Sequence, residues 1–146
     1  MKQKGFTLIE LLVVMGIMAI LAAVVIVALN PGRIFARARD TQRWSNVNTI
    51  LNAVGQRMID NKGLWSSNCG TATTTITATS THIGSDVGLA NLEPCLVPIY
   101  LSQMVLDPSS GTTANTGYQI YQSATTSRIT VTAPGAELEE IISVTR

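Results

Sequence analysis

The chain has 146 residues, of which 46% are apolar and only 13% charged, and its formal net charge at pH 7 is +1. This length accommodates one domain plus a membrane segment. So small a net charge gives no electrostatic reason to expect a polyanion, and we predict no nucleic-acid partner.

The N-terminal region contains a long apolar segment. Residues 6–29 form a run of 24 residues whose single charge is Glu10. As a helix this run would be about 36 Å long, enough to cross a hydrocarbon core of about 30 Å. A carboxylate inside such a span costs roughly 2.5–3.5 kcal/mol at mid-membrane. We therefore expect Glu10 to have a cationic partner.

The residues around Glu10 form a recognisable motif. A short leader containing Lys2 and Lys4 precedes the string Gly-Phe-Thr-Leu-Ile-Glu at residues 5–10, and the apolar run follows at once. This arrangement resembles the class III signal of type IV prepilins and of the pseudopilins of type II secretion. An ordinary secretory signal is the alternative, but its apolar core is shorter than this run, and no good Ala-x-Ala cleavage site follows Leu29 here.

The resemblance carries specific implications for three residues. It implies cleavage between Gly5 and Phe6 by a prepilin peptidase, and methylation of the new amino terminus at Phe6. It also implies that Glu10 pairs with the freed amino terminus of an adjacent subunit. Glycine suits a cleavage site because the absence of Cβ lets a protease approach the backbone.

Residues 31–63 predict a second helical stretch with one apolar face. Asn30 and Pro31 are expected to interrupt the first helix and begin the second, with Asn30 as the cap. The helix should end at Gly63, as a left-handed residue. Spacings of three and four predict an apolar stripe formed by Trp44, Val47, Ile50, Leu51, Val54 and Met58. The polar face is predicted to carry Gln42, Asn46, Asn52, Gln56 and Arg57.

Four arginines lie just beyond the apolar segment, at Arg33, Arg37, Arg39 and Arg43. The positive-inside rule would place this end in the cytoplasm, whereas the resemblance implies that the amino terminus is inside. We favour the second orientation. The arginines are then candidates for an interface with lipid phosphates or with acidic groups of neighbouring subunits, such as Asp40 or the cluster at residues 137–140. A solvated helix face is the alternative.

Residues 64–146 are rich in Thr, Ser and Gly and predict a β-rich head. Residues 118–121, 128–132 and 140–144 are predicted strands, and the first two alternate in polarity. Residues 71–82 fit either an exposed loop or an irregular strand. The predicted fold class is α+β: a long N-terminal α-helix with a small C-terminal antiparallel sheet packed on its apolar stripe.

Two cysteines, Cys69 and Cys95, lie in the predicted head. If this part is exported, a disulfide between them is expected, and two buried free thiols are the alternative. They have neither the spacing of a redox pair nor that of a metal site. Asp107 is a weak calcium-ligand candidate because few acids lie near it, and we predict no metal and no cofactor. The sole histidine, His82, has no catalytic partners in the sequence, so we predict no enzymatic activity.

The predicted organisation is a leader at residues 1–5, a membrane or filament-core helix at 6–30, an amphipathic helix at 31–63 and a globular head at 64–146. The predicted function is that of a structural subunit of a type IV pilus-like filament. A secretion pseudopilin, a minor pilin with an adhesive or DNA-binding role, and a monomeric membrane-anchored protein are the alternatives. Expected partners are further copies of the chain, the prepilin peptidase and methyltransferase, the assembly machinery, and membrane lipid before assembly. The expected location is the cytoplasmic membrane and then an extracellular or periplasmic filament.

Overall fold

A computed structural model describes residues 5–69 and 72–146. Lys2 and Lys4 of the predicted leader, and residue 71 of the Thr-rich segment, lie outside the described residues. The chain divides into two compact units, with the boundary between Phe35 and Ala36.

Helix α1 covers Leu8–Leu29 and none of its residues is buried. It is long and apolar enough to cross a membrane, as judged by length and composition. The helix ends at Asn30, whose φ of 44° is left-handed. Helix α2 then begins at Pro31, a residue that suits the first helical position. The interruption predicted at this point is therefore present, and the Asn30 side chain accepts a hydrogen bond from the Arg33 backbone at 3.4 Å.

Helix α2 covers Pro31–Asp60. The predicted apolar stripe is confirmed: Val47, Ile50, Leu51 and Val54 are buried, and Trp44 and Met58 pack against them. The predicted stop is also confirmed, because Gly63 has a φ of 83° and its backbone N–H donates to the Met58 carbonyl at 2.8 Å.

Two small sheets and one short helix form the rest of the head. Strands β1 (Asn68–Cys69) and β2 (Ala72–Thr73) pair as a ribbon. Strands β3 (Thr81–His82), β4 (Gln119–Gln122), β5 (Ile129–Ala133) and β6 (Ile142–Thr145) form an antiparallel sheet in that order. Helix α3 covers Glu93–Leu96.

The main sheet agrees with the predicted fold class. The three predicted strands correspond to β4, β5 and β6, and the Thr-rich segment supplies the edge strand β3. The central pairs align Ile120 with Val131 and Val131 with Val144. Ile120 and Val131 are buried in one cluster with Val47 and Leu51 of α2. The fold is therefore α+β, as predicted.

Candidate functional site

The backbone around the predicted cleavage position is not helical. Gly5, Phe6 and Thr7 precede α1, and Phe6 is 88% exposed. A Cβ added at Gly5 would meet no atom within 4 Å, so the fold of the described chain does not itself require glycine there. An exposed segment of this kind is the sort of backbone that proteases cleave.

Thr7 and Glu10 form a capping box at the start of α1. The Glu10 backbone N–H donates to Thr7 Oγ1 at 3.3 Å, and Glu10 Oε2 accepts from both the backbone N–H and the hydroxyl of Thr7, each at 2.9 Å. The box satisfies backbone donors that a helix start otherwise leaves unpaired. Glu10 therefore has a local role in a single chain, and its other carboxylate oxygen makes no hydrogen bond to the described residues.

Arg43 is the centre of an ion-pair cluster between α2 and the head. We define this cluster as Arg39, Asp40, Arg43, Asp107 and Glu137. The Arg43 side chain is 1% exposed. Its Nε and Nη2 donate to the two oxygens of Asp107 at 2.6 and 3.2 Å. Its Nη1 donates to Asp40 at 2.8 Å and to Glu137 at 3.0 Å. The cluster joins α2 to the loops that contain residues 107–111 and 134–140.

The charges in this cluster shift one another's pKa values. Hydrogen bonds to Asp107 and other acids raise the pKa of Arg43 well above its usual range. Burial alone would raise the pKa of Asp107, but hydrogen bonds from Arg43 and from the Ser109 and Ser110 backbones outweigh it and lower that pKa. The hydrogen bonds from Arg39, which has the larger effect, and from Arg43 lower the pKa of Glu137 to about 2.

The four predicted interface arginines have different surroundings. Arg39 donates two hydrogen bonds to Glu137, from Nε to Oε1 and from Nη2 to Oε2, each at 2.6 Å. Arg43 is buried among acids of the cluster. Both therefore bind acids of their own chain, which differs from the expectation that they contact neighbouring subunits or lipid. Arg33 and Arg37 are exposed, and the ion pairs found in the described part of the chain include neither. Arg43 is too buried to remain a predicted interface residue, whereas Arg33, Arg37 and the half-exposed Arg39 stay predicted interface residues.

Asp107 has a structural role within the cluster. Both of its oxygens accept from Arg43, and Oδ1 also accepts from the backbone N–H groups of Ser109 and Ser110 at 2.9 and 3.1 Å. Among residues 5–69 and 72–146, no group of three or more His, Cys, Asp and Glu side chains is placed to hold a metal ion. The calcium-ligand hypothesis for Asp107 therefore has no support from these contacts.

Cys69 and Cys95 form a disulfide with a Cα–Cα distance of 4.8 Å. The bond connects the β1–β2 ribbon to helix α3. Arg57, which we predicted on the polar face of α2, is instead buried against this bond and is 8% exposed. The spacing does place Arg57 on the buried face, seven residues after Ile50 and three after Val54. Its charge argued for solvent, and the backbone carbonyls that accept its hydrogen bonds leave no signal in the sequence.

The N-terminal geometry agrees with a comparison of the chain with known families. Residues 1–26 match the family model described as the prokaryotic N-terminal methylation motif, which is the class III signal of type IV pilins and pseudopilins. The prepilin-type signal recognised in the sequence is thereby confirmed. The motif implies processing by a prepilin peptidase and a link to pilus or secretion assembly. No solved structure matches this chain.

Proposed function

We propose that this chain is the precursor of a structural, non-catalytic subunit of a type IV pilus-like filament. Residues 1–5 are the leader, 6–30 the membrane and filament-core helix, 31–63 the amphipathic helix, and 64–146 the exposed head. The observation that carries the proposal is one carboxylate, Glu10, on a helix that is otherwise uncharged and wholly exposed, within a matched methylation motif.

The exposed apolar surface of α1 supports a filament or membrane environment. All 22 residues of α1 lie on the surface of the single chain, which is far more apolar surface than a soluble monomer leaves uncovered. Before assembly, lipid covers this surface, with the amino terminus inside and the head outside the cytoplasmic membrane. During assembly, the same helix of other copies replaces the lipid.

Glu10 supplies the register of this packing. Cleavage between Gly5 and Phe6 creates an ammonium group at Phe6, and methylation keeps its charge. A carboxylate and an ammonium that are each costly in an apolar setting compensate one another when an incoming subunit docks. The capping box with Thr7 uses Oε2, so Oε1 is available for the ammonium of the neighbouring copy.

A pseudopilin of a type II secretion-like system is the second candidate, because the methylation motif is common to both classes. The two candidates differ in the polymer that cells make at normal expression. Long surface filaments composed of this chain support a pilus subunit, whereas filaments that appear only on overexpression support a pseudopilin. A minor pilin would be present in filaments at a low ratio to another subunit.

Mass spectrometry of filaments sheared from cells tests the processing step. The expected chain begins at Phe6 and is heavier than the unmodified chain by one methyl group. A filament chain that still contains residues 1–5 would contradict the proposal. Replacement of Gly5 by leucine should leave the uncut precursor in the membrane fraction, because a side chain there obstructs the approach of the peptidase.

A set of Glu10 variants tests the assembly step. Glu10→Gln retains an oxygen for the capping box and removes the charge, Glu10→Asp retains the charge, and Glu10→Ala removes both. Incorporation into filaments should fall at least tenfold in the Gln and Ala variants and less in the Asp variant, while cleavage after Gly5 continues in all three. Equal incorporation of Glu10→Ala and the parent would refute the role of Glu10.

A further inference from the structure

Arg57 is a buried cation whose hydrogen-bond partners are uncharged. Its Nη2 donates to the carbonyls of Ser66 at 3.2 Å and Asn68 at 2.9 Å, and its Nη1 donates to the carbonyl of Cys95 at 3.1 Å. The guanidinium also lies 5.4 Å from the ring centre of Trp65. None of the ion pairs in the described part of the chain includes Arg57.

The same guanidinium contacts the disulfide. Arg57 Nη2 lies 3.5 Å from Cys69 Sγ. The carbonyls that Arg57 binds belong to the two segments that carry the cysteines, and these segments lie on the β1–β2 ribbon and on α3. Arg57 is thus a connection from α2 to both halves of the disulfide that does not depend on the sulfur–sulfur bond.

We propose that Arg57 is a positioning residue for formation of the Cys69–Cys95 disulfide, holding both cysteine segments together and stabilising Cys69 as the attacking thiolate. A cation beside a thiol favours its ionised form, and the thiolate is the nucleophile in disulfide exchange. Cys69 is also the more accessible of the two cysteines, since it is 9% exposed and Cys95 is 1% exposed.

Two acids and one tyrosine are the titratable groups near Arg57, and Tyr100 interacts with both Asp60 and Arg57. Asp60 lies one turn further along α2 and accepts a hydrogen bond from the Tyr100 hydroxyl at 2.7 Å. Glu93, at the start of α3, is exposed. Neither acid hydrogen-bonds to Arg57, whereas the Arg57 guanidinium contacts Cys69 directly.

The co-reactant is an external disulfide, supplied by a disulfide-donating oxidoreductase in the cell or by oxidised glutathione in the test tube. The Cys69 thiolate attacks one sulfur of this disulfide, forming a mixed disulfide and releasing one thiolate. The Cys95 thiolate then attacks Cys69 Sγ, which forms the internal bond and releases the second thiolate. Two protein thiols lose two electrons and two protons, and the external disulfide becomes two thiols.

The first test uses the reduced full chain in detergent micelles with oxidised glutathione. Acid quenching at short times traps the mixed disulfide, and mass spectrometry locates the glutathione. The expected result is at least a threefold excess on Cys69 over Cys95. Equal modification of the two cysteines would overturn the proposal, because it would mean that the reduced chain does not retain the arrangement around Arg57.

The second test measures the thiolate absorbance of Cys69 against pH in a Cys95→Ser chain. A free cysteine has a pKa of about 8.5, and the Cys69 pKa is expected about one unit lower. Because nucleophilicity falls as the thiol pKa falls, the tenfold gain in thiolate near neutral pH corresponds to roughly threefold faster exchange. A Cys69 pKa at or above 8.5 would contradict the proposal.

Variants of Arg57 separate its charge from its packing. Arg57→Met should remove the lowering of the Cys69 pKa and slow disulfide formation about threefold, whereas Arg57→Lys should retain most of the pKa effect. Arg128→Met, at an exposed arginine of the head, is the matched control and should change neither quantity. A Cys69 pKa that is the same in the Met and Lys variants as in the parent would overturn the role of Arg57.

Discussion

Replacement of Arg43 by methionine should strongly destabilise the head. The change keeps much of the apolar stem but leaves Asp40 and Asp107, both with side chains 1% exposed, without their cationic partner. Removing one partner of a buried ion pair costs about 3–5 kcal/mol, because the remaining charge is buried and uncompensated. Domains are stable by only about 5–15 kcal/mol, so this is a large fraction of the total.

The thermal midpoint measures this loss. For a domain of this size, 1 kcal/mol corresponds to about 4 °C, so Arg43→Met should lower Tm by roughly 12–20 °C. Near-ultraviolet circular dichroism of the full chain in detergent reports on Trp44 of α2 and Trp65 of the head, and it is insensitive to the helical content of α1. Arg37→Met, at an exposed arginine, is the control and should change stability by about 0.5 kcal/mol or less.

A double variant distinguishes the loss of the Arg43 charge from the loss of its packing. If uncompensated carboxylates cause the loss, Asp107→Asn combined with Arg43→Met should recover part of it. The deficit of Arg43→Met should also shrink at low pH, because protonation neutralises the unpaired acids. A deficit below about 1 kcal/mol, or one that is independent of pH, would refute the view that the buried ion pairs determine the effect.

Three further predictions concern the same head. The folded state holds the pKa of Glu137 at about 2, below the ordinary 4.5. The contribution of Glu137 to stability is therefore present above pH 4.5 and is lost as the pH falls towards 2. Between pH 7 and pH 2.5, the thermal midpoint should fall less in Glu137→Gln than in the parent. Ile120→Ala, in the core, should cost about 2–5 kcal/mol in urea denaturation, while the exposed Ile141→Ala should change little. Gly117→Ala should lower the free energy of unfolding by more than 1 kcal/mol in the same assay, because the φ of Gly117 is 85° and the new Cβ would lie 2.6 Å from Cβ of Asp107. Wild-type stability in this variant would contradict the packing described.

Much of the fold was predictable because it depends on local periodicity. The spacing of Val47, Ile50, Leu51 and Val54 identifies the buried face of α2, since a helix places residues three and four apart on one side. Alternation at residues 118–121 and 128–132 identifies β4 and β5 for the corresponding reason in strands. The interruption at Asn30 follows from proline geometry alone.

The N-terminal signal is likewise a property of the sequence itself. Its leader, its glycine and its glutamate are consecutive or nearly so, and the apolar run that follows has the length a membrane demands. The sequence also shows that Glu10 is costly where it stands, although its capping box with Thr7 became visible only in the structure.

Only the tertiary structure decided which charges pair and which are buried. Arg43 and Asp107 are 64 residues apart, and Arg39 and Glu137 are 98 apart, so no local pattern connects them. Arg57 carries a charge that predicts exposure to solvent, yet it is buried because the carbonyls around the disulfide accept its hydrogen bonds. The sequence alone determines where α1, α2 and strands β4, β5 and β6 form, since these follow from neighbouring residues, whereas β1, β3 and α3 became evident only in the structure. The fate of each buried charge depends on groups that are close only once the chain has folded.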